Sequence, residues 1–113
     1  MSKKIIGLTL SAMLLALSYP VEAQQPKKTY RIGYLSPRLG FDSGAEAFRQ
    51  GLRELGYIEG QNTVIQWRFA KGKSDLFPEL AAELVRIKVD VIVTTGSPAT
   101  HAAQQATRTI PLL

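Results

Sequence analysis

The chain contains no cysteine. That excludes disulfides, thiolate metal sites and cysteine nucleophiles together. Histidine is nearly as scarce. His101 is the only one, and a lone imidazole has no partner for a metal site or a catalytic triad. Basic residues never run longer than two, and no aromatic residues interleave with them in a stacking pattern. A nucleic-acid face needs a dense basic stripe, so nucleic acid is not an expected partner. There is no G-x-G-x-x-G, no P-loop and no G-x-S-x-G elbow. No cofactor, metal or catalytic group is therefore expected, and the chain does not read as an enzyme.

What is present is an ordinary soluble balance of 45% apolar and 20% charged residues over 113 positions, which bounds the chain to one small domain. The first residues stand apart. Lys3 and Lys4 precede an apolar stretch from Ile5 to Leu17, Pro20 ends it, and Val21-Glu22-Ala23 offers small or apolar side chains before a cut. These are the three parts of a secretory signal peptide. A membrane span needs about 20 apolar residues, and this stretch is shorter. Residues 1–23 are thus expected to be a cleaved signal and residues 24–29 a flexible mature terminus. With no cysteine at the cut, lipid anchoring there is excluded. Setting aside Lys3, Lys4 and Glu22 leaves 12 basic and 8 acidic residues, a scattered surplus that suits a solvated surface.

From Tyr30 the pattern alternates. Tyr30–Ser36 (YRIGYLS) is a β-rich run stopped by Pro37. Ser43 to Glu46 (SGAE) has the spacing of a capping box, and Phe48, Leu52 and Leu55 then recur at helical spacing up to Gly56, a left-handed stop. Thr63–Phe69 (TVIQWRF) is a second strand, and its imperfect alternation suits an outer position. Asp75 is expected to cap a second helix with Pro78 in its first turn and Leu76, Leu80, Leu84 and Ile87 as its buried stripe. Val89–Thr95 (VDVIVTT) is the strongest strand and reads as covered on both faces. Ser97 is expected to cap a third helix with Pro98 at its first position, and Ala99, Ala102, Ala103 and Ala106 form a small-residue face. Ile110–Leu113 reads as a fourth strand.

The order β-α-β-α-β-α-β predicts an α/β domain, a parallel sheet with right-handed crossovers and helices on both faces. Residues 30–113 end inside an apolar strand, so they read as an incomplete lobe. In such sheets ligands bind beyond the carboxyl ends of the strands. Two places qualify: Ser36 and Pro37 after the first strand, and Thr95, Gly96, Ser97 and Pro98 after the third. Gly96 lets backbone approach a ligand, and the helix after it aims free N–H groups and a positive dipole end outward. A small carboxylate-bearing solute would suit that corner. The same Thr-Gly-Ser-Pro run is also what an ordinary strand-to-helix turn requires. Gly33, inside the first strand, marks close packing.

From Tyr30 onward the chain resembles the amino-terminal part of the ABC-transporter substrate-binding proteins of the tryptophan-binding type, with a type I periplasmic-binding fold. The resemblance is carried by YRIGYLS, by EAFRQGLRELGYIEGQN (Glu46 to Asn62), by FPELAAELVRIKVDVIVTTGSPAT (Phe77 to Thr100), and by Gln105-Ala106-Thr107 with Thr109-Ile110-Pro111. It implies two α/β lobes with a solute held between them, delivery to an ABC permease in the inner membrane, no catalysis, no cofactor and a monomeric, periplasmic protein. It makes Ser36 with its loop and Gly96-Ser97-Pro98 the first-lobe contacts. The first loop departs from the pattern: Pro37-Arg38-Leu39-Gly40 has none of the acidic or histidine residues that some relatives carry. Amino acids are an expected ligand class by analogy. A periplasmic sensory domain and a nonfunctional truncated product are the alternatives.

Overall fold

A computed structural model describes residues 28–113. The expected signal peptide and most of the expected flexible terminus fall outside the described residues. The elements are β1 (Tyr30–Ser36), α1 (Ser43–Glu54), β2 (Thr63–Phe69), a 3-10 turn (Ser74–Leu76), α2 (Phe77–Arg86), β3 (Val91–Thr94) and α3 (Ser97–Ala106). The three strands are parallel in the order β2-β1-β3. Thus β1 is central and β2 is an outer strand, both with the bounds expected from sequence.

Alternation in β1 sends its side chains to two separate cores. Tyr34 faces α1, in a cluster with Ala45 and Ile65 flanked by Phe48, Leu52, Trp67 and Phe69. Leu35 faces the other way, into the larger cluster with Phe77, Ala81, Leu84, Ile92 and the alanines of α3. The helices therefore lie on both faces, α1 on one and α2 with α3 on the other. Gly33 sits on the α2 side, where an added Cβ would stand 3.0 Å from both Leu84 methyl carbons. The absent side chain is what lets α2 lie close to the central strand. Small residues serve the same end on α3, where Ala99, Ala102 and Ala103 are buried.

Local chemistry departs from expectation at each helix start. The capping residue of α1 is Asp42, not Ser43: its Oδ1 accepts from Ala45 N–H at 3.0 Å. Glu46 does not complete a capping box. It accepts instead from Arg49 and Gln50, which hold its carboxyl below the usual range. Asp75 caps nothing, because the chain first makes the 3-10 turn and α2 begins after Leu76 with no side-chain cap. Pro78 does lie in the first turn. The capping residue of α3 is Gly96, and Ser97 already belongs to the helix. At the other end of α1, Gly56 has φ +93°. Its N–H bonds to the Arg53 carbonyl and that of Tyr57 to the Leu52 carbonyl, the paired closure that a left-handed glycine makes. Leu55, expected at helical spacing with Phe48 and Leu52, falls past the helix and is 75% exposed.

The third strand is shorter than its apolar run. Asp90 replaces a ladder residue, accepting from Arg31 N–H through Oδ2 at 2.8 Å while its own N–H donates to the Arg31 carbonyl. Val91 is only half-buried; it lines an open pocket with Ile32, Leu52, Tyr57 and Pro111. The expected fourth strand reduces to one bridge, Ile92 with Leu112. Pro111 has no N–H to donate, and it joins the pairing only through its carbonyl, which accepts from Ile92 N–H at 3.0 Å. The connection from α3 is turned by Thr107, whose Oγ1 accepts from the N–H groups of Thr109 and Ile110.

Replacing Asp42 by alanine removes the α1 cap and is expected to destabilise the fold by about 1 kcal/mol. Urea unfolding should show a lower midpoint with an unchanged slope.

Candidate functional site

The register of β1 and β3 pairs Leu35 with Thr94, so the carboxyl ends of the two strands lie side by side. Thr95 N–H still donates to the Leu35 carbonyl at 3.0 Å. The chain then leaves the sheet through Gly96, at φ +91° and ψ 156°, and enters α3 at once. The result is a depression of about 440 Å³ lined by Pro37, Arg38, Thr95 and Gly96. The first turn of α3 stands beside it with Ser97 and Pro98 exposed.

Three of the six residues expected from sequence therefore line one depression: Pro37, Thr95 and Gly96. Ser36 stands behind it. It is 1% exposed, its Oγ accepts from Arg38 N–H at 3.2 Å, and its carbonyl accepts from Ala70 N–H. Its hydroxyl thus shapes the loop from within. Thr95 Oγ1 is different: it is buried and has no hydrogen-bond partner. An orphaned buried hydroxyl forgoes about 1–3 kcal/mol. Its neighbour Thr94 is satisfied by Thr100, and Thr100 also bonds back to the Gly96 carbonyl at 3.0 Å. Thr100 was not among the expected site residues. Its signal is a threonine four positions after the glycine, where a hydroxyl can reach the carbonyl one turn back.

The loop after β1 forms a second depression, of about 440 Å³, lined by Arg38, Leu39, Gly40, Phe41 and Asp42. Arg38 belongs to both. This loop is tied to the one after β2, since Lys71 N–H donates to the Arg38 carbonyl and Gly72 N–H to the Pro37 carbonyl. Phe41 is held edge-on against Trp67, with centroids 4.9 Å apart, and Arg49 covers its ring at 5.0 Å. Trp67 also packs on Tyr34 and donates to Glu59, so it is a core and anchoring residue. His101 is exposed on α3. Among the described residues no group of histidines and carboxylates could hold a metal ion.

Tyr34 lies under this rim. Burial pushes its phenol above the ordinary value of about 10, Asp42 pushes the same way, and Arg38 opposes them. The raised value means that the folded state holds the proton more tightly. Its stabilising contribution is complete below the unfolded value and is lost as pH rises through the folded one. Alkaline titration followed by phenolate absorbance should show a Tyr34 phase displaced above the ordinary phenol range, with stability falling in that window. Replacement by phenylalanine should remove the late phase.

Comparison with known proteins shows the family of the chain. The sequence profile described as "ABC transporter substrate binding protein" matches residues 39–113. The chain belongs to the ABC transporter substrate-binding protein family. It is 28% identical over 87 residues to a tyrosine-binding protein of Clostridioides difficile (strain R20291), covering 77% of this chain and 25% of that protein. Among solved structures it resembles a conserved domain protein from Vibrio cholerae, with a TM-score of 0.71 and 27% identity over 76% of this chain and 30% of that one. It also resembles the ligand-free, open form of a substrate-binding protein with adhesive properties from Clostridium difficile, with a TM-score of 0.70 and 25% identity over 75% of this chain and 30% of that one. A Streptococcus pneumonia ABC domain solved with L-Trp shares the fold at a TM-score of 0.68 and 23% identity, over 75% of this chain and 29% of that one. The chain thus spans less than a third of the length of these relatives.

Proposed function

We propose that this chain supplies one wall of a solute site in an ABC uptake system, and that the solute's polar end docks at Thr95–Pro98. One observation carries the reading: the carboxyl ends of β1 and β3 open together on a depression beside the first turn of α3. Such a corner collects free N–H groups and a positive dipole end. A solute oxygen seated against Thr95 would also give its hydroxyl the partner that it lacks. No catalytic step enters this function. The relatives named for tyrosine binding and solved with L-Trp support an amino acid, or another small carboxylate, as the solute class.

In the proposed arrangement a second α/β lobe closes over this wall, and the loaded protein delivers its solute to a permease in the inner membrane. Residues 1–23 are proposed to be the cleaved signal that brings it to the periplasm, with residues 30–113 as part of the first lobe.

The test is thermal unfolding of the full chain against a panel of amino acids and small carboxylates. A ligand that binds only the folded state raises the melting temperature, by an amount that grows with concentration over Kd. Stabilisation by at least one solute is expected. Thr95→Val should leave the melting temperature unchanged or higher, since no hydrogen bond is lost, and should weaken the ligand response by about tenfold in Kd. A panel with no stabilising solute would reject the reading.

A further inference from the structure

Two threonines at the α3 corner form one chain of hydrogen bonds. Thr94 Oγ1 lies 2.8 Å from Thr100 Oγ1, and Thr100 Oγ1 lies 3.0 Å from the Gly96 carbonyl oxygen. Each hydroxyl has a single proton to give. If Thr100 donates to Gly96, Thr94 must donate to Thr100. The reverse order would send the Thr94 proton to the Leu113 carbonyl, 3.4 Å away, which is long for an O–H···O bond. The shorter distances therefore select the direction Thr94 to Thr100 to Gly96.

The Gly96 carbonyl then accepts twice, since Thr100 N–H also donates to it at 3.2 Å. The same peptide unit carries the Ser97 N–H. A trans peptide is planar, so its carbonyl and its N–H point in opposite directions. Holding the Gly96 carbonyl against the first turn of α3 thus turns the Ser97 N–H outward. No side chain caps this helix, and Pro98 has no N–H to share the role. Gly96 itself does little to fix the unit, because a residue without a Cβ is free to rotate. Threonine bonds to a carbonyl one turn back are common in helices. A helical threonine nevertheless divides between two χ1 rotamers, and the contact with Thr94 favours the one that reaches Gly96.

We propose, on the solute-binding reading above, that Thr100 is a positioning residue of the site. Its hydroxyl, oriented by Thr94 at the end of β3, holds the Gly96–Ser97 peptide so that the Ser97 N–H faces the polar end of the solute.

Thr100→Val keeps the side-chain shape and the backbone N–H and removes only the hydroxyl. Isothermal titration of the full chain uses L-tyrosine, L-tryptophan and any stabilising member of the solute panel. Kd should rise by about fivefold or more in Thr100→Val, and Thr100→Ser should return it to within about twofold of the original. Thr94→Val should weaken binding in the same direction by less. Thr107→Val removes the hydroxyl that turns the chain after α3, so it should lower the melting temperature and leave Kd unchanged. Nuclear magnetic resonance of the solute-free chain reads the bond directly. The Gly96 carbonyl carbon and Ser97 amide nitrogen resonances should move in Thr100→Val and return in Thr100→Ser. Unmoved resonances, an unchanged Kd in Thr100→Val, or an equal loss in Thr107→Val would overturn the positioning role while leaving the solute site standing. A wild-type chain that binds no solute of the panel would reject the solute site itself, and the role with it, even if the resonances moved.

Discussion

Shortening Leu84 to alanine is expected to lower the unfolding free energy by about 2–5 kcal/mol. Leu84 is fully buried in the larger core, among Leu35, Phe77, Ala81 and Ile92. Truncation removes its methyl groups from contact and leaves a void that a helix packed this closely on a strand cannot readily close. Small domains are stabilised by about 5–15 kcal/mol in all, so the loss is a large fraction. The contact with Gly33 sharpens the test. A Cβ on Gly33 would meet Leu84 side-chain carbons at 3.0 Å, so Gly33→Ala alone is expected to cost about 1–3 kcal/mol by overpacking. In the Leu84→Ala background the added methyl enters the vacated space. The double variant should therefore be more stable than the sum of the two losses predicts. Urea unfolding of all four chains measures the coupling. Strict additivity would show that α2 does not rest on the central strand in the way described.

The same contact shows what sequence makes legible. Gly33 stood out as a glycine inside an otherwise β-rich run, and close packing was the physical reading of that break. The parallel sheet and the outer place of β2 follow from element order and alternation, which are long-range patterns that tertiary packing enforces; the central place of β1 is set by the pairing itself. Local starts and stops were less legible. Asp42 and Ser43 are neighbouring cap-competent side chains, and only the backbone angles decide which one turns toward Ala45 N–H. Gly96 and Ser97 pose the same ambiguity, settled by the left-handed turn that only the glycine adopts without strain. Asp75 was displaced because the chain uses a 3-10 turn before α2. Apolar composition made Val89–Thr95 read as one strand, yet Asp90 and the exit at Gly96 trim it from both sides. At the site, strand ends could be located, but the neighbours could not. Arg38, Leu39 and Phe41 come together through the Trp67 contact and the bonds from Lys71 and Gly72, which cross from one loop to another.

Replacing Gly96 by valine should damage stability and ligand response together. At φ +91° and ψ 156° its backbone occupies a region open essentially to glycine. Forcing an L side chain there costs about 1–3 kcal/mol. Space is not the obstacle, since the nearest atom to an added Cβ is Pro98 Cδ at 3.9 Å. The chain is therefore expected to relieve the strain by rotating, and this moves the start of α3. The Gly96 carbonyl, which accepts from both the N–H and the hydroxyl of Thr100, would move with it, as would the N–H groups aimed at the proposed solute. Gly56 supplies the control. It has nearly the same φ, +93°, and open space around it, but it closes α1 at the opposite end of the sheet. Gly56→Val should lower the melting temperature by a comparable amount and leave the ligand-induced shift intact, whereas Gly96→Val should abolish that shift. If both variants retained the full shift, the α3 corner would hold no part of the solute. If both lost it, the shift would be reporting global stability rather than contact at this site.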